Sequence, residues 1–178
     1  MDDGAPLALI GVGNRLRGDD GAGLLVAEGV RRRLAGGGFA VLEQPGEAIG
    51  LIEQWEPFSG VVVVDAVRSG APAGTIHRID ATAGPLPAPL LAGSSTHAVG
   101  VAHAIELARA VGRLPARLVL LGIEGRSFHL GDPLSGPVAG AIPALLEAAL
   151  GELEGLRRAA VTAGGAALGA PRSHRRAS

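Results

Sequence analysis

The chain has 178 residues and a formal charge of −1, and 47% of it is hydrophobic with only three Phe, one Trp and no Tyr. That length suits one domain able to bury roughly 70% of its unfolded surface, with a core built from Val, Leu, Ile and Ala. The absence of Cys excludes a catalytic thiol, a thiolate metal site and a disulfide framework.

The cations are all arginine, and Arg157, Arg158, Arg172, Arg175 and Arg176 follow Glu154, the last acidic residue. Residues 1–154 are therefore acidic, which argues against nucleic acid as a partner. The opening Met1-Asp2-Asp3-Gly4 has no signal-peptide pattern, and no apolar run approaches the roughly 20 residues that span a bilayer. The expectation is a cytoplasmic, monomeric protein that uses neither a membrane nor nucleic acid.

In chain order, Leu7 to Val12 predicts a buried strand, followed by the glycine-rich loop Gly13 to Gly21 and a helix from Ala22 to Leu34 that Gly36-Gly37-Gly38 ends. Phe39 to Glu43 predicts a second strand, and Glu47 to Trp55 a short helix. The run Val61-Val62-Val63-Val64-Asp65 is the clearest strand, because four β-branched residues in succession suit a strand covered on both faces. Thr75 to Ile79 alternates like a further strand. Residues 81–96, with Pro85, Pro87, Pro89 and Gly93, read as a long loop of the kind that often carries function.

A helical pattern then runs from Ala98 to Val111, a buried strand from Leu118 to Ile123, and a last helix from Pro143 to Leu156. Residues 159–178 offer little to pack and are expected to form a disordered basic tail after a domain of residues 1–158. Strands alternating with helices predict an α/β fold, a three-layer sandwich with a mostly parallel sheet between helices.

Strand, glycine loop and helix in this order invite a phosphate-binding reading, but the third glycine of G-x-G-x-x-G is replaced by Leu16. A P-loop fails for want of any Lys. Asp19 and Asp20 would also repel a pyrophosphate. The loop leaves two readings open: one Asp capping the following helix, or a carboxylate site.

Asp65 favours the site, since open α/β sheets place ligands at the carboxyl ends of their strands. Its plain alternative is an Asx turn into the next loop. Carboxylates gathered at one edge repel unless protonated or metal-bound. His97, where the long loop meets a helix, is placed to add an imidazole. His103 lies on a different helix face, and His77, His129 and His174 read as surface or tail residues. Two carboxylates and an imidazole form a mixed set compatible with Zn, Ni, Fe or Mn. No nucleophile elbow or zinc-protease helix motif is present.

Three motifs in order then carry a family resemblance: Gly11-Val12-Gly13-Asn14 with Asp19-Asp20-Gly21-Ala22-Gly23, Val62-Val63-Val64-Asp65-Ala66, and Ser95-Thr96-His97 with Gly100. Over about residues 7–155 the chain resembles the [NiFe]-hydrogenase maturation proteases, endopeptidases that trim the C-terminal extension of the hydrogenase large-subunit precursor. The resemblance implies an endopeptidase of metal-dependent or aspartic type, with Asp20, Asp65 and His97 as catalytic and metal-contacting residues. It also implies that nickel, supplied by the precursor, is what the site recognises. Asp19 is expected to cap and to support this set; Glu124 ends a strand near the same edge and is expected to serve as a turn residue, the alternative being contact with substrate. Glu43-Gln44-Pro45-Gly46 departs from the Asp many relatives carry after the second strand. The alternatives are a nickel-binding scaffold without protease activity and a phosphate- or nucleotide-binding α/β enzyme.

Overall fold

The structure, a computed structural model, describes residues 6–34, 38–92 and 98–167. In chain order its elements are β1 (Leu7–Val12), a 3-10 turn (Gly18–Gly21), α1 (Ala22–Arg33), β2 (Ala40–Gln44), α2 (Ala48–Trp55) and β3 (Gly60–Val67). There follow β4 (Ile76–Asp80), α3 (Ala88–Ala92), α4 (Ala98–Ala110), β5 (Arg117–Glu124) and α5 (Gly136–Ala167). The strands form one sheet in the order β2-β1-β3-β5-β4. All neighbours run parallel except β4, which is antiparallel to β5.

Every residue of β1 and β3 is buried, as expected of central strands whose side chains meet a helical layer on each face. Alternation along β3 assigns the layers. Val62, Val64 and Ala66 pack with α1 and α5, whereas Val61 and Val63 pack with α2 and α4. This is the expected three-layer sandwich with a mostly parallel sheet.

Chain reversal occurs beside β1, which is followed by β2 on one side and by β3 on the other. Open α/β sheets form their crevice at such a switch point, outside the carboxyl ends of the strands. The β1–β3 register stops at Gly11 and Val64, one residue before Asp65. Past that point β1 keeps only its pairing with β2, through Val12 and Gln44, and the loop carrying Asp19 and Asp20 follows at this end of the sheet.

Two elements differ from the expectation. The proline-rich stretch contains the short helix α3. The last helix begins at Gly136 and passes through Pro143. Pro143 costs an interior hydrogen bond, but it is exposed, as is Ala139, whose carbonyl it frees, so that oxygen stands on the side of the helix open to water. That helix also runs to Ala167, past Arg158, where the tail was expected to begin; residues 168–178 lie outside the described residues, as do Gly36 and Gly37. No helix of the described residues is long and apolar enough to cross a membrane.

Candidate active site

The glycine loop is shaped by close approach. Gly13 has φ 133°, and a Cβ there would collide with the backbone carbonyl of Asp20. A Cβ on Gly23 would strike the carbonyls of Val12 and Val64. Only glycine lets the first turn of α1 rest directly on the ends of β1 and β3. This contact brings the 3-10 turn, and Asp20 in it, against the end of β3.

Asp65 is wholly buried, and Asp20 is 1% exposed. Neither carboxylate oxygen of Asp65 accepts a hydrogen bond. Its proton affinity is pushed well above the usual carboxylate range, first by loss of water and then by the negative charge of Asp20. The nearby N–H of Ala66, outside hydrogen-bonding geometry, acts in the opposite sense, more weakly. A buried carboxylate without partners is costly unless it holds a proton or a cation. The pair therefore fits a divalent metal: two hard oxygen donors, mutually repelling and withdrawn from water. Among the described residues no group of three or more His, Asp or Glu side chains is arranged to hold a metal ion. His97, with Ser94, Ser95 and Thr96, lies outside the described residues.

The helix that follows His97 is nevertheless fixed at this edge. A Cβ on Gly100, in the first turn of α4, would overlap the carbonyl of Gly46 in the turn after β2. α4 therefore starts in backbone contact with the carboxyl end of the sheet.

Asp19 does not cap a helix: neither the 3-10 turn nor α1 has a side-chain cap. Its buried carboxylate instead accepts the N–H groups of Arg126 (2.7 Å), Ser127 (2.9 Å) and Ser135 (2.7 Å), and the Ser135 hydroxyl (2.9 Å). Burial raises its proton affinity, but these bonds together outweigh it and leave the group below the ordinary value. The backbone N–H of Asp19 also donates to the Ser127 carbonyl at 2.8 Å. One residue thus pins the β5–α5 loop and the start of α5 to the turn that carries Asp20.

Glu124 is buried as well, and it holds a turn. It accepts the N–H of Ser69 (2.8 Å), the N–H of Gly70 (3.0 Å) and the Ser69 hydroxyl (2.7 Å). The Nε2 of His77 stands 3.3 Å away. His77, expected at the surface, is a half-buried member of this cluster, because its partner arrives from β5. His129, expected at the surface, is there, its side chain 86% exposed. Glu43 is committed to Arg15 and Arg31 at 3.3 and 3.2 Å.

A three-layer sandwich with two buried carboxylates at the switch point of its sheet disfavours a phosphate, which their charge would repel. The hydrogenase maturation protease family model matches residues 34–152, and the chain belongs to that family. It is 26% identical over 149 residues to the hydrogenase expression/formation protein HupD of Rhizobium leguminosarum bv. viciae, spanning 81% of this chain and 72% of that protein. Similar structures include the [NiFe] hydrogenase maturation protease HybD of Thermococcus kodakarensis, with TM-score 0.63 and 26% identity, over 81% of this chain and 96% of that one. The hydrogenase maturating endopeptidase HybD of E. coli superimposes with TM-score 0.66 over 84% of this chain and 92% of its own; at 23% identity it bears on the fold.

Proposed function

We propose that this protein is the endopeptidase that removes the C-terminal extension of a nickel-loaded [NiFe]-hydrogenase large-subunit precursor, acting in the cytoplasm as a monomer. The observation that carries this reading is Asp65, a carboxylate wholly buried at the end of β3, without hydrogen bonds and facing the charge of Asp20. Family membership supplies the substrate class. Asp20 and Asp65, with His97 added by resemblance, make a donor set with vacant positions. Nickel brought by the precursor and bound there would supply Lewis-acid polarisation of the scissile carbonyl.

The chain's own groups do the proton work. In the free enzyme, burial and the Asp20 charge favour a proton on Asp65; binding a cation requires that proton to leave. One ionised carboxylate then accepts a proton from the attacking water as its oxygen bonds to the carbonyl carbon. The same proton passes to the leaving nitrogen as the C–N bond breaks. Asp19 keeps the turn in place throughout.

Because the set gains affinity when the precursor's nickel fills it, an empty precursor is a poor substrate. The test is incubation of the purified enzyme with nickel-loaded and with nickel-free precursor, followed by mass spectrometry of the large subunit. Shortening of the loaded form alone supports the reading. A loaded precursor that keeps its full length identifies a scaffold without protease activity, and equal trimming of both forms removes nickel recognition.

A further inference from the structure

β4 ends the sheet, so one side of it carries no strand among the described residues. Its pairing with β5 shows which backbone groups are outward. The Ala81 N–H donates to the Leu118 carbonyl at 2.9 Å, and the Glu124 N–H donates to the Thr75 carbonyl at 2.8 Å. Antiparallel ladders alternate, so His77, Ile79 and Ala81 turn their N–H and C=O groups toward β5, as does the carbonyl of Thr75, whose N–H donates instead to the Pro72 carbonyl at 3.1 Å. Ile76 and Arg78 turn theirs toward the open edge, and so does the Asp80 N–H, while the Asp80 carbonyl accepts the N–H of Ala83 at 3.3 Å.

Beside this edge lies a cleft of about 590 Å³, lined by Ser69, Ala71, His77, Ile79, Pro87 and Leu90. Its inner wall is fixed by Glu124, which holds Ser69 and Gly70 and stands beside His77. Across it stand Pro87 and Pro89, which have no N–H to offer the strand in competition. Arg78 is exposed, a charge of the kind that blunts an edge against indiscriminate pairing. Its guanidinium, however, is drawn to Glu152 of α5, at 2.6 and 2.9 Å, on the opposite face from the cleft.

The cleft also lies in line with the candidate site. Asp65 pairs with Gly122, and Gly122 pairs with His77, so the three form one row across the sheet on the face that meets α4. Strands lie about 4.8 Å apart, which puts a strand added to β4 about 14 Å from Asp65. An extended chain covers that distance in about four residues.

Resting on the protease reading above, we propose that β4 captures the peptide substrate as a sixth strand, its alternate side chains entering the cleft and its scissile bond about four residues away. Backbone pairing supplies affinity for an extended segment of varied sequence, and the cleft selects side chains. Such a segment is what a protease needs, since a peptide bond folded into helix or sheet is closed to attack.

Two variants of the full chain test this. Arg78→Pro removes an outward N–H without touching the β5 ladder, and Ala71→Trp fills the cleft; Glu152→Ala removes the same ion pair as the first and serves as its control. With nickel-loaded precursor, each of the first two raises KM at least ten-fold and leaves kcat within two-fold, while Glu152→Ala stays within two-fold on both. A labelled synthetic peptide of the precursor's C-terminal extension, followed by fluorescence anisotropy, binds wild type and Asp65→Asn alike and is lost in both docking variants. Wild-type KM and peptide affinity in Arg78→Pro and Ala71→Trp overturn the proposal while cleavage stands. Should wild type fail to cleave, the peptide measurement still decides docking on its own. If Arg78→Pro does not fold, Ala71→Trp decides. A wild-type dimer in sedimentation that Arg78→Pro abolishes would assign the edge to a second copy and likewise overturn it.

Discussion

The negative charge of Asp20 bears directly on Asp65, raising the proton affinity of a carboxylate that burial has already raised. The two residues come from different parts of the chain, one in a turn after β1 and the other in β3. Their meeting depends on Gly13 and Gly23, whose missing side chains let the turn lie on the strand ends.

That relationship makes stability depend on pH in a defined sense. The folded-state proton affinity of Asp65 is above its unfolded value of about 3.9, so its burial is tolerated fully below that pH and penalised increasingly as pH rises toward the folded value. Asp65→Asn carries no such penalty. The stability difference between Asp65→Asn and wild type, measured by urea unfolding without metal, should grow as pH rises from 4, by about 1.4 kcal/mol for each unit until the folded value is passed. A difference that is flat with pH would show that Asp65 does not titrate abnormally.

Asp19 has the opposite sign. Its folded-state proton affinity is depressed, so the stabilisation it gives is present above about pH 4 and lost as pH falls through the folded value. Asp19→Ala leaves three part-buried N–H groups without their acceptor and should cost about 3 kcal/mol by denaturant unfolding. Asp19→Asn retains part of the set and should cost less. Both should slow processing, since the turn carrying Asp20 loses its anchor. Normal processing in a stable Asp19→Ala protein would deny it that positioning role.

Gly23→Ala places a methyl group against the carbonyls of Val12 and Val64. Relief requires α1 to lift from the sheet, at a cost of about 2 kcal/mol. Processing should fall more than stability alone accounts for, because the same movement carries Asp20 away from Asp65. Thermal unfolding and processing rate measured at a temperature where the variant stays folded separate the two effects.

The parts of this fold that speak through local pattern were legible in the sequence. Val61 to Val64 announced β3, and the strand-loop-helix order announced the three layers. Pro143 misled the boundary of α5, because a proline at an exposed turn looks the same whether it starts a helix or interrupts one. The short helix α3 was hidden among prolines. The role of Asp19 was also out of reach, since its partners Arg126, Ser127 and Ser135 lie far along the chain and nothing nearby distinguishes an anchor from a helix cap. His77 read as a surface residue for the same reason: Glu124 reaches it only through the pairing of β4 with β5. That the Asp19-Asp20 pair and Asp65 gather at one edge of the sheet was legible because both lie past the start of apolar strands at their carboxyl ends, but the choice of Asp20 over Asp19 came from the family resemblance and not from position.

The most direct measurement is single-turnover processing of nickel-loaded precursor by Asp20→Asn and Asp65→Asn, each first shown to be folded by its circular dichroism and unfolding curve. Loss of the proton-accepting carboxylate in one variant, or of a charged oxygen donor to the nickel in the other, should lower the rate at least about a hundred-fold in each, while the precursor is still bound. Cleavage at the wild-type rate by a folded Asp65→Asn enzyme would contradict the claim that this buried pair performs the reaction.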